Sequence, residues 1–285
     1  MSLYAEIIGD PVAQSKSPAI HNHWLGVLGI AGDYRACPVT PTALADYCAQ
    51  RRDDPEWCGC NVTMPHKQAI IGLVDRLDPL AARIGAVNTV IRAGDGSLAG
   101  FNTDAGGFLE PLRPVLASPP RLRSALVLGT GGAARAVVAA LAGEGVTVAL
   151  AGRDPAKARA LLEELDPAGG HRAADLASFA APAGRPRDQG GRGFDLIVNA
   201  SPLGMAGQPP LAFDLSHARP DSIVYDIVTH PLDTPLLRAA RAAGLRTIDG
   251  LAMLIGQAAT AFTLFFGEVP PREDRDRALR EVLAR

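Results

Sequence analysis

Cysteine is scarce in this chain of 285 residues, which contains only Cys37, Cys48, Cys58 and Cys60. Their spacing lacks the two closely spaced pairs that a structural zinc site requires. Four thiols are also too few to form a disulfide scaffold in a chain of this length. We therefore predict reduced cysteines, no bound metal and a cytoplasmic protein.

Long apolar segments and an excess of one charge are missing as well. No stretch of the sequence approaches the roughly 20 apolar residues that span a membrane, and the first residues lack the pattern of a signal peptide. The formal net charge is −2, whereas nucleic-acid-binding proteins usually carry a strong basic patch. We expect a small-molecule partner, no nucleic acid and no membrane.

Lysine is the third scarce residue, since only Lys16, Lys67 and Lys157 occur among the 28 basic side chains. Arginine keeps its charge in proteins, whereas a lysine ammonium can release its proton when its surroundings lower its pKa. In a chain that otherwise prefers arginine, lysine persists either by chance or where an ammonium is needed. These three positions are therefore candidates for functional amines.

Strand-like and helix-like segments alternate in the first hundred residues, which predicts an α/β sheet. Strands are expected at residues 4–8, 33–39, 58–62, 87–92 and 98–101. Helices are expected at residues 17–28, 42–51 and 68–74. Ser17 is expected to cap the first helix, with Pro18 in its first turn.

A second alternating series begins near residue 123 and predicts a Rossmann-like fold. Its strands are expected at residues 125–128, 146–150, 194–198, 223–225 and 246–248. Its helices are expected at residues 133–143, 155–164 and 234–243, followed by an apolar helix at 251–266 and a polar one from Pro270. The stretch 181–193, rich in glycine, proline and arginine, is expected to be a mobile surface loop.

A dinucleotide fingerprint lies between the first strand and the first helix of this second series. Residues 129–134 fit the pattern G-x-G-x-x-A, and free N–H groups at the helix N-terminus favour a bound phosphate. Gly129 permits the tight turn, Gly131 lets a pyrophosphate approach the backbone, and Ala134 lets the helix pack closely. We predict a dinucleotide site formed by Gly129, Thr130, Gly131, Gly132, Ala133 and Ala134.

The residues after the next strand indicate which dinucleotide is bound. An NAD enzyme usually has an acidic residue there, which binds the ribose 2′-hydroxyl. Here the first polar residue is Arg153, and Lys157 follows one helical turn later, so both cations can face a 2′-phosphate. Asp154 lies between them and either caps the helix or tolerates NAD. We expect NADP rather than NAD. Asp154 is the one residue of this segment that is also compatible with NAD, so the sequence does not decide the preference.

Polar residues gather where the strands of the first series end, which is where α/β domains bind ligands. Hydroxyls, amides, one ammonium and one carboxylate suit a ligand that is a polyhydroxylated carboxylic acid. The clusters are Ser15-Lys16-Ser17, residues 61–67, Asn88-Thr89 and Asn102-Thr103-Asp104.

Several motifs, in order along nearly the whole chain, resemble those of the shikimate dehydrogenase family. Besides residues 129–134, they are GDPVAQSKSPAIHN (9–22), NVTMPHK (61–67), GAVNT (85–89), NTD (102–104), NASPLGM (199–205) and DGLAMLIGQA (249–258). The resemblance implies an NADP-dependent oxidoreductase that moves a hydride between a nicotinamide and shikimate. It also implies a substrate-binding domain of residues 1–104 and 250–285, a Rossmann-like NADP-binding domain of residues 105–249, and a cleft between them.

The resemblance also assigns roles to the matching residues. Lys67 and Asp104 resemble the catalytic pair, with Lys67 as the acid–base group. Ser15 and Ser17 resemble the serines that hold the substrate carboxylate. The ring-hydroxyl binders are matched by Asn61, Thr63, Asn88 and Gln257. The NADP site is matched by residues 129–134, Arg153, Lys157 and Gly250.

One position departs from the family pattern. After the segment Asp226-Ile227-Val228 the family usually has a tyrosine that reaches toward the substrate carboxylate, and this chain has Thr229. Threonine is shorter, so a water molecule or His230 would have to replace the tyrosine hydroxyl. Thr229 therefore leaves the substrate affinity and the identity of the substrate open, and the sequence does not decide between shikimate and quinate.

Three alternatives are consistent with parts of this pattern. A quinate/shikimate dehydrogenase that uses NAD is favoured by Asp154 and disfavoured by Ser17, because relatives that accept quinate often have threonine there. A non-catalytic ligand sensor on the same fold is disfavoured by the presence of Lys67 and Asp104. A methylene-tetrahydrofolate dehydrogenase is disfavoured by the serine pair and the Asn-Thr-Asp motif. The sequence is compatible with a monomer or a homodimer.

Overall fold

The computed structural model describes residues 3–119, 122–183, 193–272 and 276–283. The chain forms two compact units, which we call the first unit (Met1–Gly107 with Ile255–Arg285) and the second unit (Phe108–Leu254). The chain passes from one unit to the other inside helices α4 (Asp104–Leu109) and α9 (Gly250–Phe266). The crossing points lie between Gly107 and Phe108 in α4 and between Leu254 and Ile255 in α9.

The first unit contains a mixed six-stranded sheet in the order β2-β1-β3-β5-β6-β4. β1 lies parallel to β2 and β3, whereas β5 lies antiparallel to β3 and β6. The five strands predicted from the sequence are present, with ends that differ by at most two residues, and β4 is additional. The strands are β1 (Leu3–Gly9), β2 (Gly32–Pro38), β3 (Trp57–Val62), β4 (Arg76–Leu77), β5 (Thr89–Arg92) and β6 (Leu98–Phe101).

The helices of the first unit differ from the prediction at two places. Residues 68–74 form only a 3₁₀ helix over Ala69–Leu73, because two isoleucines and Gly72 have low helix propensity. The helix predicted at 42–51 begins with a separate 3₁₀ turn over Pro41–Ala43, and the short helix Pro79–Ile84 was not predicted. The α-helices are α1 (Ser17–Leu28), α2 (Leu44–Arg52), α3 (Pro79–Ile84) and α10 (Arg277–Leu283), with parts of α4 and α9.

The predicted cap of α1 was wrong. Lys16 is the N-cap, and Ser17 is the first helical residue. The N–H of Ser17 donates instead to the hydroxyl oxygen of Ser15 at 3.2 Å. The hydroxyl that satisfies a main-chain donor at this helix start is therefore one residue upstream of the N-cap.

An aromatic cluster joins α1, β2 and α9 on one face of the first sheet. His21 stacks on Tyr34 with ring centroids 4.0 Å apart, and Trp24, Phe262 and Phe265 complete its surroundings. Neither ring nitrogen of His21 has a hydrogen-bond partner among the described residues. Burial lowers the pKa of His21 to about 3, so the ring is neutral in the folded protein.

Replacing His21 with phenylalanine is expected to reduce the acid sensitivity of the first unit. In unfolded chains histidine has a pKa of about 6.5, so below that pH the unfolded state binds a proton that the folded state does not. As the pH is lowered below about 6.5, the free energy of unfolding therefore decreases by up to about 1.4 kcal/mol for each pH unit. The variant keeps an aromatic ring that can stack on Tyr34, but its unfolded state has no imidazole at this position to bind a proton.

Denaturant unfolding between about pH 7.5 and 5 measures the difference. Tryptophan fluorescence is a suitable probe, because both tryptophans of the chain, Trp24 and Trp57, lie in the first unit. Equal pH dependence of the wild type and the variant would contradict the prediction.

The second unit contains a parallel six-stranded sheet in the order β12-β11-β10-β7-β8-β9. The chain builds outward from β7 to β9 and then returns to place β10 on the other side of β7. This is the strand order of the Rossmann fold and confirms the sequence prediction. The strands are β7 (Ser124–Leu128), β8 (Thr147–Gly152), β9 (Arg172–Asp175), β10 (Phe194–Asn199), β11 (Ala218–Asp226) and β12 (Arg246–Ile248).

Two strands of this sheet differ most from the prediction, β9 and β11, whereas the others agree with it to within two residues. β9 was missed because its sequence, Arg-Ala-Ala-Asp, has no β-branched or aromatic residue. β11 is longer than residues 223–225 because its polar first half, which contains Pro220, gives no strand signal. The helices that belong wholly to this unit are α5 (Arg113–Ala117), α6 (Gly132–Gly143), α7 (Pro155–Leu165) and α8 (Pro235–Ala242).

Residues 184–192 of the loop predicted at 181–193 lie outside the described residues. Among the helices in the described ranges, none combines the length and the apolar character needed to cross a membrane.

Candidate active site

The segments that follow β1 and β3 lie together at one edge of the first sheet, because these strands are parallel neighbours. The N–H of Thr63 donates to the carbonyl of Ile8 at 2.9 Å. A Cβ atom on Gly9 would come within 2.4 Å of the methyl carbon of Thr63, so glycine permits this approach. The serine segment after β1 and residues 63–67 after β3 are thereby held side by side.

The segments that flank β5 and β6 reach the same edge. Thr89, at the start of β5, pairs with Asn61 on one side and with Phe101, at the end of β6, on the other. Asn88 precedes β5, and Asp104 follows shortly after β6. The antiparallel pairing therefore brings polar residues that are distant in sequence to one edge of the sheet.

Lys67 and Asp104, the pair expected to be catalytic, are in contact. The ammonium Nζ of Lys67 donates to Oδ2 of Asp104 at 2.5 Å. The side chains are 15% and 7% exposed, respectively, so this ion pair is less screened by water than a surface pair. Asp104 thus fixes the direction of an ammonium that is still partly exposed.

Asn88 holds the other oxygen of this carboxylate. Its Nδ2 donates to Oδ1 of Asp104 at 2.8 Å and to Oγ1 of Thr103 at 2.9 Å. Its Oδ1 accepts from the N–H of Thr103 at 2.7 Å and from the hydroxyl of Thr89 at 3.0 Å. Both ends of the buried amide are therefore engaged by the protein, and Asn88 orients Asp104.

Asn61 is oriented by a residue that the sequence did not indicate. The hydroxyl of Tyr34 donates to Oδ1 of Asn61 at 2.6 Å, and Nδ2 of Asn61 donates to Oγ1 of Thr89 at 3.0 Å. Burial raises the pKa of Tyr34 well above its usual range, so this hydroxyl keeps its proton and remains a donor. Tyr34 is the residue that stacks on His21.

Gln257 on α9 joins the same network from the far end of the chain. Its Oε1 accepts from Nδ2 of Asn88 and from the hydroxyl of Thr103, each at 3.4 Å. Gln257 is 169 residues from Asn88 in sequence. The end of the chain therefore contributes a polar side chain to the first unit.

Ser15, Ser17 and Thr63 complete the predicted substrate-binding set in this unit. Ser17 is buried, whereas Ser15 and Thr63 are half-buried. Because the oxygen of Ser15 accepts the N–H of Ser17, its hydroxyl proton remains available to donate to an anion. This geometry suits a carboxylate ligand.

The glycine fingerprint of the second unit has two kinds of glycine. Gly129 has a φ of +114°, and a Cβ atom there would lie 2.8 Å from the carbonyl oxygen of Ala200. A Cβ atom on Gly131 would meet no atom of the described residues within 4 Å. Gly129 is therefore required by the fold, whereas the space above Gly131 is open to a ligand.

The N-terminus of α6 fits a phosphate group. Its N-cap is Gly131, which has no side chain to cap the helix, and its first turn has no acidic residue. Such a terminus offers N–H groups and a favourable dipole to an anion. The other predicted residues form the turn around it: Thr130, Gly132 and Ala133 are half-buried, and Ala134 is buried beneath them.

Arg153 and Lys157 follow β8 and are both exposed. Asp154 caps α7, since its Oδ1 accepts from the N–H groups of Ala156 at 3.0 Å and of Lys157 at 3.4 Å. The sequence left open whether Asp154 caps the helix or tolerates NAD, and the structure shows that it caps the helix. Because Asp154 is engaged locally, the two cations remain available to a phosphate.

Gly250, the first residue of α9, lies close to the backbone of the segment that leads to Thr229. A Cβ atom on Gly250 would come within 2.3 Å of the carbonyl oxygen of Val228, so glycine is required where α9 begins. Asp226, which ends β11, accepts from the hydroxyl of Thr234 at 2.7 Å and from the N–H of Val228 at 3.1 Å. Burial raises the pKa of Asp226. The loop that carries Thr229 is thus fixed on both sides.

Comparisons with known proteins agree with this arrangement. Residues 7–90 match the family model "Shikimate dehydrogenase substrate binding domain", and residues 250–280 match "Shikimate 5'-dehydrogenase C-terminal domain". A curated relative from Sphingopyxis alaskensis, named shikimate dehydrogenase (NADP(+)), is 54% identical over 284 residues, which cover 99% of this chain and 97% of the relative. The chain belongs to the shikimate dehydrogenase family.

Solved structures of similar proteins match nearly the full length of this shikimate dehydrogenase family member. Shikimate 5-dehydrogenase from Thermus thermophilus, in complex with NADP(H) and shikimate, is 38% identical to this chain with a TM-score of 0.80. The match covers 98% of this chain and 99% of that one. A quinate dehydrogenase from Corynebacterium glutamicum, in complex with NAD, is 33% identical with a TM-score of 0.84, covering 99% and 98%. The fold class predicted from the sequence is confirmed.

Three residues of the network had no individual role assigned from the sequence. Thr89 and Thr103 lie in the polar clusters predicted to bind a ligand, and their donor and acceptor capacity was the available signal. Nothing in the sequence indicated Tyr34, because its pattern is that of an apolar residue in a strand. Tyr34 comes close to Asn61 only because β1 pairs with both β2 and β3.

Proposed function

We propose that this protein is an NADP-dependent shikimate dehydrogenase, which reversibly reduces 3-dehydroshikimate to shikimate on the route to chorismate and the aromatic amino acids. The contact between Lys67 and Asp104 carries the proposal, because it pairs a proton donor with a group that orients it at a polar sheet edge. The enzyme class follows from family membership, which is supported by relatives over the full chain.

The substrate-binding residues are proposed from chemistry and position. Ser15 and Ser17 would hold the carboxylate, as hydroxyls at a helix start. The ring hydroxyls would be bound by amide and hydroxyl groups, namely those of Asn61, Thr63, Asn88 and Gln257. Thr229 would leave one position near the carboxylate to a water molecule or to His230.

Lys67 is the proposed acid–base residue. When the ring ketone is reduced, a proton must reach its oxygen, and Nζ of Lys67 would donate it. Asp104 would hold the ammonium in place through Oδ2 while Asn88 holds Oδ1. The positive charge would also stabilise oxyanion character on the reacting oxygen.

NADP, when bound, supplies the hydride chemistry. The residues proposed to hold it are those of the α6 turn (129–134), Arg153, Lys157 and Gly250. Gly131 leaves open space above an uncapped helix terminus, which suits the pyrophosphate. Arg153 and Lys157 would bind the 2′-phosphate and so favour NADP over NAD.

The remaining expectations follow from the same proposal. A dehydrogenase of small hydroxy acids requires no nucleic acid and no membrane. We propose that the enzyme acts in the cytoplasm, as a monomer or a homodimer.

The test is an assay of shikimate and quinate, each with NADP and with NAD, followed at the nicotinamide absorbance. The highest kcat/KM is expected for shikimate with NADP. A preference for quinate or NAD would assign the protein to the related quinate dehydrogenases. Absence of reduction in all four combinations, from protein that binds NADP, would refute dehydrogenase activity on these acids.

A further inference from the structure

Lys16 occupies a position that does not suit a cation. It is the N-cap of α1, where Ser, Thr, Asp and Asn are preferred and where the helix dipole is unfavourable to positive charge. Its side chain makes no capping hydrogen bond. Local helix energetics therefore give no reason for lysine here, and the chain has only two others.

The contact made by the ammonium supplies a reason. Nζ of Lys16 donates to the carbonyl oxygen of Leu283 at 2.7 Å, across 267 residues of sequence. Leu283 is the last residue of α10, where carbonyl groups have no helical partner and the dipole favours a cation. Leu279 and Leu283 are buried and fix α10. The ammonium thus joins the start of α1 to the end of α10.

This contact lies within the segment proposed to bind the substrate carboxylate. Ser15 and Ser17 flank Lys16, and their own hydrogen bond makes the three residues one tight turn. The N–H of Ser15 donates to the carbonyl of Val12 at 3.0 Å, which ties the turn to the loop after β1. Displacement of Lys16 would therefore move both serines.

We propose that Lys16 is a positioning residue for substrate binding: through α10 it holds the Ser15 and Ser17 hydroxyls in the geometry that binds the substrate carboxylate. This inference rests on the proposed function. The C-terminal helix then contributes to substrate affinity without touching the substrate.

The experiment compares the wild type with Lys16→Met, Lys16→Arg, Leu279→Ala and a chain that ends at residue 276. Lys16→Met is expected to raise the KM for shikimate about tenfold, the size of one lost hydrogen bond to a charged group. The kcat and the KM for NADP should stay within about twofold of the wild type. Lys16→Arg should restore much of the affinity, because a guanidinium also donates to a carbonyl.

Variants of α10 separate this role from direct binding of substrate by the ammonium. Leu279→Ala or removal of α10 should reproduce the rise in KM, and Lys16→Met should add little in the shortened chain. The exposed Glu281 on the same helix gives the matched control, since Glu281→Ala should change nothing. A rise in KM with Lys16→Met alone, and none with the α10 variants, would overturn the inference.

Hydrogen–deuterium exchange of residues 12–17 gives a readout that needs no substrate. Faster exchange is expected in Lys16→Met and in the chain without α10, and unchanged exchange in both would also overturn the inference. If the wild type does not oxidise shikimate, the proposed function fails, and faster exchange would still establish the contact between Lys16 and α10 as the anchor of the serine segment.

Discussion

Replacing Lys67 with alanine is expected to lower kcat by about 10²–10⁴-fold and to leave the KM for shikimate nearly unchanged. General acid–base catalysis typically contributes this factor, and it acts in the transition state rather than in substrate binding. The ammonium of Lys67 is held by Asp104 at 2.5 Å, so its removal deletes a positioned proton donor. Steady-state kinetics with shikimate and NADP measure the effect.

Lys67→Arg separates proton transfer from electrostatic stabilisation. A guanidinium keeps the positive charge and can pair with Asp104, but it does not release a proton in proteins. If proton transfer dominates, this variant should stay close to the alanine variant. Recovery of most of the activity would show an electrostatic role instead. Turnover near the wild-type rate in Lys67→Ala would refute the assignment.

Replacing both Arg153 and Lys157 with alanine is expected to reduce the preference for NADP over NAD by about 10²-fold. Each cation is expected to contribute about tenfold as a charged hydrogen-bond donor to the 2′-phosphate. Both side chains are exposed, and the carboxylate between them caps α7. The ratio of kcat/KM for NADP to that for NAD gives the measurement.

Arg159→Ala is the matched control for this pair. Arg159 is an exposed cation on the same helix, two residues after Lys157 and therefore on another face. Its removal deletes one positive charge from the same helix and should leave the cofactor ratio unchanged. An equal loss of activity with NADP and with NAD in the double variant would show that these cations do not read the 2′-phosphate.

The dinucleotide fingerprint could be predicted from sequence because it is local. Residues 124–134 form a strand, a turn and the start of a helix within one short segment, so spacing alone specifies the conformation. The structure shows that the two glycines have different roles. At Gly129 a side chain would collide with the backbone of Ala200, whereas Gly131 leaves space for a ligand. Ala200 follows β10, and its approach depends on the pairing of β10 with β7, which the fingerprint does not encode.

The local sequence did not decide the roles of two residues, Asp154 and Lys16. The sequence left two roles open for Asp154, and the hydrogen bonds to its carboxylate identify the cap. Ser17 was predicted as the cap of α1 because serine is preferred there, yet Lys16 holds that position. The ammonium of Lys16 is bound at the end of α10, and no local propensity includes a contact across 267 residues.

The sequence by itself determined the two alternating series, the fingerprint, and the polar residue types suited to a hydroxylated acid, because these depend on neighbours along the chain. Only the tertiary structure decided which of those side chains meet. Lys67 reaches Asp104, and Asn88 reaches Gln257, through strand pairing and the return of α9. Tyr34 entered the network for the same reason, since hydrogen bonds between strands depend on distance in space and leave no periodic pattern in sequence.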